Sequence, residues 1–107
     1  MTPERQKEYF DDLIKKMEYV LIKKGEDYAS VDKLSNFKLA GRICGLSPEL
    51  NCLSLIATKV ARLGVLLNSS KEPNNESIQD SVLDLANYAI LLSMILEDKL
   101  GELSDLI

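Results

Sequence analysis

Between Glu49 and Lys71 the chain carries only two charges, Lys59 and Arg62. Leu53, Ile56, Val60, Leu63 and Leu67 surround them, and Leu55 and Leu66 flank them on their own face. A helix that is apolar nearly all round belongs in an interior. Lys59 and Arg62 are three apart and so share one face, a turn from each other. Burying them calls for anions close by, because an unpaired buried charge costs roughly 3–5 kcal/mol. The segment also has the apolarity of a membrane span. Its two central cations, with Asn51, Ser54 and Thr58, argue for a helix packed inside a protein and against a membrane partner.

The rest of the chain reads as helices of the same kind. Thr2 and Pro3 open a first helix to about Lys24, with Phe10, Leu13, Ile14, Met17, Val20 and Leu21 on one face and Gly25 as its stop. A less regular stretch follows, with a short helix expected from about Lys33 to Cys44 and ended by Gly45. Ser47-Pro48-Glu49 is a compact helix start: cap, proline at the first position, acid in the first turn. That helix should reach about Asn68. Asn74 or Asn75 caps a last long helix to about Lys99. No stretch alternates with period two, so the expected fold is an all-α bundle of about four helices, one domain over residues 1–107.

Charge and cysteine content narrow the partners. The net charge is -4 and there is no histidine. An acidic chain is a poor grip for a nucleic-acid backbone, so no nucleic acid is expected. Cys44 and Cys52 sit in apolar runs without a C-x-x-C pattern and read as reduced core thiols rather than zinc ligands. The charged start, MTPERQKEYF, is unlike a secretion signal, which points to the cytoplasm.

The last helix mirrors the two cations. Glu76, Asp80, Asp84 and Asn87 fall on one arc of a helical wheel at ~100° per residue. That arc continues as Leu91, Met94 and Ile95, and a face changing from acid to apolar is expected to meet a cleft or another subunit. The main core face is expected opposite, through Ile78, Val82, Leu85, Ala89, Leu92 and Leu96. Two readings of the charges stand side by side. Lys59 and Arg62 pair with Asp80 and Asp84 inside the bundle, or the four line a polar cavity in which the cations hold phosphates and the carboxylates a metal, base or ribose. Lys24, Asp27 and Tyr28, just past a helix end, and then Asn36-Phe37, add groups that could stack on a base or read its edge. The plainer reading gives Asp27 a turn and lets Tyr28 and Phe37 cover the core.

Taken in order, K-x-x-D-Y (Lys24 to Tyr28), N-F (Asn36-Phe37), K-x-x-R-L (Lys59 to Leu63) and D-x-x-x-D-L-A-N-Y (Asp80 to Tyr88) resemble the phage and bacterial "nucleotide modification associated domain 1" family. The last motif also resembles the final motif helix of MazG-like all-α nucleotide pyrophosphohydrolases. The resemblance implies a MazG-like helical bundle, a homo-oligomer, and a small-molecule nucleotide as partner, with Lys24, Asp27, Tyr28, Asn36, Phe37, Lys59, Arg62, Asn87 and Tyr88 at the nucleotide. In the pyrophosphohydrolases, E-x-x-E and E-x-x-D helices hold Mg²⁺. Here Lys59-x-x-Arg62 stands where E-x-x-E is expected, and Asp80 and Asp84 are the carboxylates left for a metal. Cations at those positions would bind phosphate directly. Three functions follow as expectations: a protein that holds and sequesters a phosphorylated nucleotide, cyclic and signalling nucleotides included, in the manner of a phage anti-defence protein; a Mg²⁺-dependent nucleoside triphosphate pyrophosphohydrolase; or a helical interaction module.

Overall fold

The computed structural model describes residues 1–23, 32–69 and 75–105. Among them it shows four α-helices and no strand: α1, Pro3–Glu18; α2, Ser35–Cys44; α3, Pro48–Leu67; and α4, Asn75–Asp105. The fold is all-α. The chain divides into two compact units, Met1–Lys33 and Leu34–Ile107.

The first unit contains α1. Thr2 Oγ1 accepts a hydrogen bond from the Arg5 amide at 3.1 Å, and Pro3 needs no amide partner in the first turn. Lys7 and Asp11 pair at 2.7 Å one turn apart. The α-helix ends earlier than its apolar periodicity implied: from Tyr19 to Lys23 the backbone widens into a π-helical turn. Lys24 and Gly25, the expected end of this helix, lie outside the described residues.

The second unit is a three-helix layer. Its core is Leu34, Cys52 and Ile95, with Phe37, Ile56, Tyr88, Leu91 and Leu92 packed on them. The turn between α2 and α3 is built by two glycines. Gly45 takes a left-handed φ of 71°, and the Leu46 amide donates back to the Gly41 carbonyl at 2.7 Å, closing α2 as in a Schellman motif. A Cβ on Gly41 would stand 2.5 Å from the Leu46 carbonyl oxygen, so the close approach of the returning backbone requires glycine there. Ser47 Oγ then accepts from the Leu50 amide at 3.2 Å and starts α3.

α3 and α4 pack along each other, with α2 against α3. Contacts from Glu49 to Lys99 and from Lys59 to Asp84 advance in opposite directions, so the two long helices are antiparallel. α4 runs to Asp105, six residues beyond its expected end at Lys99.

Two expectations about faces are corrected here. α3 is not enclosed on all sides: Cys52 is fully buried, whereas Leu50, Leu53, Val60, Val65 and Leu67 are each about half exposed or more. It is also the one described helix with the length and apolarity to cross a membrane, with mean hydropathy 1.6. On α4 the inward face lies between the two expected arcs: Ser81, Asn87 and Ile95 are buried, Leu91 and Leu92 pack on the core and Asp84 is partly buried, while of the expected core face Ile78 and Leu85 are partly buried and Val82, Ala89 and Leu96 are exposed. The apolar residues of α4 are spread round much of the helix, so periodicity alone does not single out one stripe as the core face. Cys44 is likewise exposed on α2, and only Cys52 is a core thiol.

Candidate functional site

The polar centre of the second unit lies where α3 crosses the first half of α4. Lys59 Nζ stands 3.0 Å from Asp84 Oδ2. The two side chains are 24% and 39% exposed, so water screens the pair and its net worth is about 1 kcal/mol or less. A pair this weak exchanges readily for a stronger anion. Arg62 follows Lys59 by one turn on α3, exposed and engaged within the chain. Asp80 precedes Asp84 by one turn on α4 and is exposed. One cation of α3, Lys59, therefore meets one carboxylate of α4, Asp84.

The remaining expected site residues divide. Asn87 is buried one turn beyond Asp84, at 5% exposure, with Ser81 buried on the same inner face. Tyr88 and Phe37 pack against the Leu34–Cys52–Ile95 core. Their backbones are engaged too: the Tyr88 carbonyl accepts from Cys52 Sγ at 3.4 Å and the Phe37 carbonyl from Asn51 Nδ2 at 3.3 Å. Core packing is thus the role that both aromatic rings have in the structure. Asn36 is exposed in the first turn of α2. Lys24, Asp27 and Tyr28 lie outside the described residues, as does the Glu76 side chain. Among the described residues no three His, Cys, Asp or Glu side chains stand close enough to share a metal ion.

A second polar feature was not anticipated. A cleft of about 270 Å³ opens at the start of α3, lined by Lys38, Ser47, Glu49, Ile95, Asp98 and Lys99. Two ion pairs border it, Lys38–Asp98 at 2.9 Å and Lys99–Glu49 at 2.8 Å. The Lys99 ammonium, donating to the carboxylate, holds the Glu49 carboxyl below its ordinary pKa. The cleft has matched charges and no net sign, so it ties α2 and α3 to the end of α4 and offers no cationic excess to an anion. Its residues lie 50 and 60 positions apart in the chain, and no local pattern signals their meeting. Burial, in turn, pushes the Cys52 thiol pKa up, which suits a packing role and not a nucleophile.

Comparison of the chain with known protein families, with curated proteins and with solved structures finds no match.

Proposed function

We propose that the protein binds a phosphorylated nucleotide at the α3–α4 crossing and holds it without turnover, through Lys59 and Arg62. The observation that carries this reading is the Lys59–Asp84 pair, a weak, solvent-screened contact in which the lysine is already oriented between two helices. A phosphate would replace Asp84 on Lys59 and gain a second cation from Arg62 one turn away, with charge-assisted hydrogen bonds to both. Asp84, released, and Asp80 beside it would accept hydrogen bonds from ribose hydroxyls or base N–H groups. The pair in the ligand-free protein keeps Lys59 neutralised until the ligand arrives.

The MazG-like resemblance supports a nucleotide as the ligand, and the replacement of a carboxylate pair by Lys59 and Arg62 supports direct phosphate binding over metal-mediated binding. Asp80 and Asp84 are a thin donor set for Mg²⁺, with an ammonium 3.0 Å from one of them. No step is therefore assigned to a metal. The family resemblance, a cytoplasmic location and a role in sequestering a signalling nucleotide belong to this same proposal.

The test is incubation with a panel of NTPs, dNTPs and cyclic di- and trinucleotides, with and without Mg²⁺. The unbound fraction and the fraction released by heating are then identified by mass. Sequestration predicts that one species disappears from solution and returns intact. Appearance of a monophosphate and pyrophosphate only with Mg²⁺ would replace this reading with pyrophosphohydrolysis. For the nucleotide retained, Lys59→Ala and Arg62→Ala should each weaken binding by about 1.5–3 kcal/mol.

A further inference from the structure

The charges around the α3–α4 crossing limit how much phosphate it can hold. Along α3, and along α4 as far as Asp98, Lys59 and Arg62 are the only cations. α4 brings carboxylates to the same place, with Asp84 3.0 Å from the Lys59 ammonium. The helices are antiparallel, so Arg62, one turn after Lys59, and Asp80, one turn before Asp84, lie toward the same end of the crossing. The crossing thus holds as many carboxylates as cations and has no net positive charge. On α3 the next residues of this face are Leu55 on one side and Leu66 on the other, and neither has a group to give a phosphate oxygen.

A site for a polyphosphate chain is made differently. Each added phosphate brings about one further negative charge, which a further cation, a metal ion or a row of free backbone amides must match. α3 and α4 meet here away from their ends, where the amides are spent on bonds within each helix. Among the described residues no three His, Cys, Asp or Glu side chains gather for a metal. A second phosphate would therefore meet the aspartates or the leucines. A like charge about 4 Å away weakens binding about fivefold even in water.

Resting on the nucleotide reading above, we propose that the crossing takes nucleotides whose phosphates are borne singly, as a monoester or as a phosphodiester link, and rejects those with a di- or triphosphate chain. Residues three apart on a helix have Cβ atoms about 5–6 Å from each other, close enough for two long side chains to converge on one anion. Lys59 and Arg62 share that single phosphate group. Asp80 and Asp84 are the discriminating residues: the cations act on the phosphate held, and the aspartates on any phosphate attached to it.

Equilibrium dialysis of the full chain tests this against the 5′-mono-, di- and triphosphates and 3′,5′-cyclic monophosphates of adenosine, guanosine, cytidine and uridine, together with cyclic dinucleotides. Each is measured in excess chelator and again with Mg²⁺. For a nucleoside 5′-phosphate that is retained, affinity is expected to fall about fivefold or more with each phosphate added to the first. An Asp80→Asn/Asp84→Asn variant should bring the triphosphate to within about threefold of the monophosphate, because the repelling charges are gone. The wild-type order is informative however that variant folds. Retention of a monophosphate, a cyclic monophosphate or a cyclic dinucleotide over the triphosphates supports the inference and tells a monoester from a diester. Affinity that stays level or rises from mono- to triphosphate overturns it and leaves the nucleotide reading in place. So does triphosphate binding raised by Mg²⁺ to the level of the monophosphate. Retention of none of these nucleotides overturns both.

Discussion

The two sides of α3 are built from the same residue types and meet different ends. Cys52 and Ile56 face inward and join Leu34 and Ile95 in the core; Leu50, Leu53, Val60 and Leu67 face outward and remain open. Hydrophobicity does not separate them. What differs is the surroundings: the inward side meets Ile95, Tyr88, Leu91 and Leu92 of α4 and Leu34 and Phe37 at the start of α2, and Lys59 reaches Asp84 at the edge of that packing. Apolar composition states how much surface wants burial, while tertiary approach decides which surface gets it.

The largest expected effect comes from the inward side. Ile95 is 4% exposed in the core, and Ile95→Ala should cost about 2–5 kcal/mol in urea unfolding. Val60→Ala on the outward side, where Val60 is 52% exposed, should stay within about 0.5 kcal/mol. Similar losses at both positions would erase the distinction between the faces. A smaller effect belongs to the turn that aims α3. Gly41→Ala drives a methyl group against the Leu46 carbonyl, and its backbone cannot swing away as a side chain would; a loss of about 1–3 kcal/mol is expected, read as a lower thermal midpoint. An unchanged midpoint would mean that the turn relaxes freely.

The smallest effect is a pH dependence at the start of α3. The Glu49 carboxyl titrates lower when folded than when unfolded, because Lys99 donates to its ionised form. Its contribution is therefore present above the ordinary carboxylate pKa of about 4.3 and is lost as the pH falls through the lower folded value. The stability difference between the wild type and Glu49→Gln should shrink as the pH drops from 7 to 3. A difference that grows on acidification would contradict the pairing.

Local chemistry explains which parts of the fold were legible in the sequence. Thr2, Pro3, Gly45, Ser47 and Pro48 act within a turn of themselves, and each begins or ends a helix where its type implies. The rotation of α4 was legible only in part: Leu92 of the expected face reaches the core, but Val82, Ala89 and Leu96 stay exposed, because periodicity alone cannot choose among the apolar residues spread round this helix. Of the candidate site, the adjacency of Lys59 and Asp84 was legible as a complementarity of spacings. The core packing of Phe37 and Tyr88, and the Lys38–Asp98 and Glu49–Lys99 pairs, depend on tertiary approach and leave no mark within any one helix.

The central claim is that Lys59 and Arg62 hold a nucleotide phosphate at the α3–α4 crossing. Its most direct test is to expose the wild type and a Lys59→Ala/Arg62→Ala double variant, matched in helicity, to the same nucleotide panel and to measure by mass what each removes from solution. The account predicts that the wild type depletes one nucleotide and releases it intact on heating, and that the double variant leaves that nucleotide in solution. Equal depletion by the two proteins, or depletion by neither, would contradict it.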